Sequence, residues 1–158
     1  MSAPPEWVFF TDRDLGAHIF PDCLRAAGLR VERHADHFAA DAADDDWLPQ
    51  VARWGWVTLS CDQRMLRRPV EQDAVMVSGG RVLILVGANA KTTDLAANFV
   101  NTRASVFAFL ARHAAPYIAK VYRPSAGPVL PGGAPGRIAM KLTYDEWRRR
   151  HKGGEGDA

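Results

Sequence analysis

Aspartates end two apolar runs of this 158-residue chain. Trp7-Val8-Phe9-Phe10 runs into Thr11-Asp12-Arg13-Asp14, and Trp56-Val57-Thr58-Leu59-Ser60-Cys61 runs into Asp62. A third acidic cluster, Asp44-Asp45-Asp46, lies between them. Open α/β sheets gather their chemistry outside the carboxyl ends of the strands. Acids delivered there suggest a site for a divalent cation, since Mg²⁺ and Mn²⁺ take oxygen ligands. Crowded carboxylates repel one another and hold their protons unless a cation neutralises them. A cation so held can activate water toward phosphorus and stabilise the leaving oxygen. The chain shows neither a Ser–His pair nor a phosphate-binding loop signature.

Each residue also has a plainer role available. Asp12 and Asp62 can cap the helices that follow them, and Asp44 can cap the helix around Trp47. Asp45 and Asp46 then favour that helix dipole. Arg64, Arg67 and Arg68 follow directly on Asp62. They read either as solvated helix residues or as contacts to a nucleic-acid backbone. His34, His37 and His113 are most simply surface or core histidines, and the tryptophans occupy core-like positions.

The elements that must position these groups alternate between strand and helix. Strands are expected at about 7–11, 29–34, 56–61 and 81–86. A helix at 15–27 carries Ile19, Phe20 and Leu24 on its apolar side and stops at Gly28. Trp47, Leu48, Val51 and Trp54 fall at helical spacing, Pro49 suits a first turn, and Gly55 closes the element. A helix broken at Pro69 runs toward Ser78. Thr92 or Thr93 is expected to cap one long helix ending near His113. Strands at 117–122 and 137–142 flank a Pro/Gly-rich loop, and a short helix follows around 145–150. This order predicts a mostly parallel sheet covered on both faces. The second strand should lie on one side of the first and the third on the other. Asp12 and Asp62 then face each other across the switch point. The helix opening at Asp44 leads into the third strand, which would set its N-terminus at the opposite end of the sheet unless the loop brings it back.

Length fits one domain over 1–158, with a basic tail from about 148. A net charge of +2 is too small for a general nucleic-acid coat. No apolar run approaches the ~20 residues that cross a bilayer. The first six residues lack a basic segment followed by an apolar one, so a cytoplasmic location is expected, with Cys23 and Cys61 as reduced thiols.

The ordered set Phe9-Phe10-Thr11-Asp12-Arg13-Asp14-Leu15, Ala27-Gly28-Leu29-Arg30-Val31, Asp44-Asp45-Asp46-Trp47-Leu48-Pro49 and Gly55-Trp56-Val57-Thr58-Leu59-Ser60-Cys61-Asp62-Gln63-Arg64 resembles PIN-like domains. The closest group is the VapC-type ribonuclease toxins of toxin–antitoxin modules. The resemblance covers about the first 70 residues and implies a Rossmann-like three-layer α/β/α domain. It also implies Mg²⁺- or Mn²⁺-dependent hydrolysis of RNA, a cognate antitoxin as partner, and a homodimer as a plausible state. Asp12, Asp44 and Asp62 match the family's acids as catalytic residues, and Asp14 and Asp45 are further candidate metal ligands. Arg13, Arg64, Arg67 and Arg68 are the candidate RNA contacts. Ser60 stands where the family usually has Thr, and a fourth, mid-chain acid has no clear counterpart.

That gap leaves a second reading, a PIN-like module that binds RNA or protein without turnover. A third is a haloacid-dehalogenase-like phosphatase, with Asp12 as nucleophile, Asp14 as acid, and Ser60 and Lys91 on phosphate. Against it, Gly16 stands where Thr or Val is usual.

Overall fold

Six strands form one sheet in the order β2-β1-β3-β4-β5-β6. The computed structural model describes residues 6–87 and 90–156. The strands are β1 (Val8–Thr11), β2 (Arg30–Arg33), β3 (Val57–Ser60), β4 (Arg81–Leu85), β5 (Tyr117–Tyr122) and β6 (Arg137–Thr143). The first five are parallel and β6 returns antiparallel along β5. The expected placement of strands two and three on either side of strand one is the one observed. The helices are α1 (Ile19–Ala26), α2 (Asp44–Arg53), α3 (Pro69–Ser78), α4 (Thr92–Asn101), α5 (Arg103–Arg112) and α6 (Tyr144–Gly156).

Alternation along β1 explains the three layers. Phe9 turns to a core shared with Leu24 of α1, Phe99 of α4 and Phe109 of α5. Phe10 turns to the other core, with Trp47 and Val51 of α2 and Val75 of α3. Val57, Leu59, Leu83 and Ile84 are fully buried, as expected of central parallel strands covered on both faces.

Several local expectations need correction. The first helix is shorter: a 3₁₀ turn at Arg13–Leu15 ends at Gly16, whose φ of +80° breaks the path before α1. Ile19 is 54% exposed, off the apolar side shared by Phe20 and Leu24. α2 opens at Asp44, so Pro49 lies one turn further in than a first-turn site. The long helix is two, α4 and α5, broken at Thr102, whose hydroxyl bonds back to the Asn98 carbonyl at 2.6 Å and accepts from the Gly136 amide. Such back-bonding bends a helix. Lys91, not Thr92 or Thr93, holds the N-cap of α4. Both cysteines are free. Among the described residues no helix is long and apolar enough to cross a membrane.

Candidate acidic site at the carboxyl ends of the strands

Asp12 leaves β1 with its amide bonded to the Leu59 carbonyl at 3.0 Å, which fixes it beside the end of β3. The residue is 6% exposed. Its carboxylate accepts from the Arg13 amide at 2.6 Å, so it does cap the following 3₁₀ turn. Burial, then the charges of Asp14 and Asp44, push its pKa up to about 7 despite the Arg13 amide and guanidinium.

Arg13 ties this acid to the next. Its Nη2 donates to Asp44 Oδ1 at 2.6 Å, and its Nη1 donates to the carbonyls of Ala40 and Ala42 at 2.7 and 2.8 Å. Its Nε stands 3.7 Å from Asp12 Oδ1. Asp44 also accepts from Trp47 Nε1 at 3.0 Å, which anchors the first turn of α2. The expected position of that turn at the far end of the sheet is therefore overturned. In a parallel β–α–β crossover the helix runs opposite to the strands, so its N-terminus returns to their carboxyl ends.

Asp14 and Asp62 are joined by Ser60. The Ser60 hydroxyl donates to Asp14 Oδ2 at 2.8 Å and accepts from the Asp62 amide at 3.1 Å. The Cys61 amide donates to the same Asp14 oxygen at 3.0 Å. Burial raises the Asp14 pKa against these bonds, and Asp62 adds to the rise. Burial and the Asp14 carboxylate push the Cys61 thiol up to about 12, which leaves it a poor nucleophile. Asp62 caps its own 3₁₀ turn through the Arg64 amide at 3.0 Å. Arg64 Nε lies 3.0 Å and Arg68 Nη1 3.5 Å from its carboxylate. Burial opposes its ionisation, but the Arg64 bonds and both guanidinium charges hold its pKa below the ordinary range.

Glu71 is the acid that sequence reasoning missed. It sits in the first turn of α3, 9% exposed, with Arg68 Nη1 at 3.1 Å from one oxygen. Its Oε2 is buried without a hydrogen-bond partner. Burial raises its pKa, Arg68 opposes that rise, and Asp44 reinforces it. Nothing in the sequence around it marks a buried acid, since Pro69 shows only that a helix begins there.

The acids thus form a circuit interleaved with cations: Asp12, Arg13, Asp44, Glu71, Arg68, Asp62, Ser60, Asp14. Asp45 is exposed and lies outside it. Arg13, Arg64 and Arg68 all face carboxylates, while Arg67 is exposed beside Trp147 and Arg150. Among the described residues no three His, Cys, Asp or Glu side chains converge closely enough to hold a metal ion. The donor chemistry nevertheless suits a hard cation, because every donor is a carboxylate oxygen. Asp12 and Glu71 in addition bear like-charge repulsion that a cation would relieve. His34, 2% exposed against Phe10 and Trp47, is a core histidine whose pKa burial lowers.

A three-layer fold with acids from β1, α2 and the end of β3 defines the class. Residues 7–87, β1 through β4, match the family model described as PIN like domain, and the chain belongs to that family, in its VapC-type group. Among curated proteins it is similar to "Putative ribonuclease VapC45" of Mycobacterium tuberculosis, with 31% identity over 117 residues. That alignment spans 72% of this chain and 84% of the mycobacterial protein. No solved structure gives a significant match.

Proposed function

We propose that this protein is a ribonuclease that hydrolyses RNA phosphodiester bonds with Mg²⁺ or Mn²⁺, acting as the toxin of a toxin–antitoxin module with a cognate antitoxin as its partner. The observation that carries this reading is the buried Asp12 carboxylate, pushed up to about pH 7 by burial and by Asp14 and Asp44. A buried acid beside further carboxylates favours a bound positive charge, which would relieve their repulsion. Asp12, Asp44 and Asp62 would hold the ion once drawn closer together than they stand here, with Asp14 beside them. When bound, a hard divalent cation supplies Lewis acidity toward the phosphoryl oxygens and lowers the pKa of water. The chain's own residues do the rest. Ser60 sets Asp14 against Asp62, and Arg13 sets Asp44 against Asp12. Arg64, with its side chain 65% exposed, would exchange its bond to Asp62 for one to a phosphate, leaving Arg68 on that carboxylate.

The test is cleavage of single-stranded RNA with Mn²⁺ by the purified protein. Asp12→Asn and Asp62→Asn are each expected to lower the rate by on the order of a hundredfold or more with the circular dichroism spectrum unchanged. Cleavage that survives in both variants, or in excess EDTA, removes this mechanism. The pairing of Asp44 and Asp62 with arginines favours a second reading, a module that binds RNA without cutting it. RNA binding with no cleavage in any divalent cation selects that reading.

A further inference from the structure

The acidic circuit occupies the ends of β1 and β3, and cations collect on the neighbouring side of the same sheet. Lys120 and Tyr122 lie two residues apart on β5 and so share one face. That face is the one Ile118 buries against α3, but beyond Ile118 it is only half-covered. Arg137 pairs directly with Tyr122 across the β5–β6 ladder, and its guanidinium carbon stands 4.2 Å from the ring centroid. Lys141 reaches the same ring, with Nζ at 5.4 Å.

Lys141 gets there through an irregularity. Ile118 pairs with Leu142 and Ala119 with Met140, so β6 carries one extra residue at Lys141. A bulge of this kind leaves its extra residue unpaired in the ladder and re-aims its side chain. Arg137 and Lys141 are exposed. None of Lys120, Arg137 and Lys141 makes a salt bridge among the described residues. Two cations over one aromatic ring and a third on the same strand face, none of them in a salt bridge, form a surface complementary to a polyanion. An aromatic ring edged by cations is the pattern that single-stranded nucleic acid uses for stacking and backbone contact together. The patch also joins the acidic site directly, because Lys120 Nζ donates to Gln63 Oε1 at 2.9 Å and Gln63 follows Asp62.

We infer that Lys120, Tyr122, Arg137 and Lys141 form a binding track for the single-stranded RNA that flanks the scissile bond, leading away from Asp62 across the β5–β6 hairpin. The inference rests on the nuclease reading for the identity of the strand but concerns residues outside the acidic circuit. The cations drawn around the Tyr122 hydroxyl, Lys141 foremost, also hold its pKa below the ordinary phenol range, consistent with a strongly positive local field.

The experiment compares the wild type with Arg137→Gln/Lys141→Gln and with Tyr122→Leu, each checked for an unchanged circular dichroism spectrum. Binding of a long mixed-sequence single-stranded RNA is measured in EDTA across a salt series, and cleavage is measured on that RNA and on a dinucleotide. The double variant should weaken long-RNA binding by about tenfold and reduce the salt slope by about 1.4, two phosphate contacts at ~0.7 each. KM for the long RNA should rise with kcat preserved, and dinucleotide cleavage should not change. An unaltered slope and affinity in the double variant overturns the track even if the wild type cuts RNA. A reduced slope in the double variant, with a wild type that binds RNA but cuts nothing, keeps the track and removes the nuclease. Poly-glutamate serves as the acidic-protein probe: loss of its binding with RNA binding intact assigns the patch to a protein partner and overturns the inference.

Discussion

A carboxyl group that keeps its proton up to about pH 7 makes Asp12 a source of instability at neutral pH. Between the unfolded value near 3.8 and about 7, the folded chain holds a proton that the unfolded chain has released. Stability therefore falls as pH rises through that window, and it is fully present only below it. Asp12→Asn removes the titration. The variant should be more stable than wild type at pH 8 by on the order of a few kcal/mol, with the gain vanishing near pH 4. Denaturant titrations at the two pH values check this, and Mn²⁺ should stabilise wild type at pH 8 but not the variant. Arg13 has the opposite character. Its guanidinium closes the loop at Ala40 and Ala42 onto Asp44, so Arg13→Ala should lower stability by ~1–3 kcal/mol in the same assay. The first of these residues was legible from sequence because an acid directly after a buried strand has few places to go. Glu71 was not, because Val70 and Gln72 around it give no pattern that marks a buried acid. The arginines were legible as neighbours of the site but not as its counterions, since the pairing depends on turns that bring Ala42 and Arg68 close.

At the level of elements, the direction of α2 decides whether Asp44 belongs to the site. The apolar spacing of Trp47, Leu48 and Val51 identifies the helix but says nothing of its polarity against the sheet. Chain geometry supplies that, since every crossover between parallel strands must bring a helix back down. The break at Thr102 was hidden for a related reason: Leu95, Phe99, Val106 and Phe109 keep an apolar face through it. The break is held by a contact from far along the chain, the Gly136 amide on the Thr102 hydroxyl at 2.9 Å. Gly136 also passes tightly against the end of β5. A Cβ there would lie 1.8 Å from the Tyr122 carbonyl oxygen, a backbone atom that cannot swing aside. Gly136→Ala should displace the start of β6 and lower stability by more than ~3 kcal/mol. Thermal unfolding followed by circular dichroism measures it. The loop's Pro/Gly content suggested a turn, but which glycine admits no side chain follows only from the packed hairpin.

For the molecule as a whole, α6 is the C-terminal element among the described residues, and one tryptophan fastens it. Trp147 packs with the α2–α3 core and its Nε1 donates to Asp73 at 2.8 Å. Trp147→Ala should lower stability by ~2 kcal/mol while leaving the RNA cleavage rate unchanged, because its one acidic partner, Asp73, lies outside the circuit. A finished parallel sheet with hairpin closure leaves two outer margins, β2 and β6. Both are studded with charge: Arg30, Glu32 and Arg33 on one, Arg137 and Lys141 on the other. Charges at such margins keep one copy from zipping onto the next. Arg30→Val/Glu32→Val strips the β2 margin of its guard, so that variant should form concentration-dependent aggregates, visible by light scattering, at concentrations where the parent chain shows none.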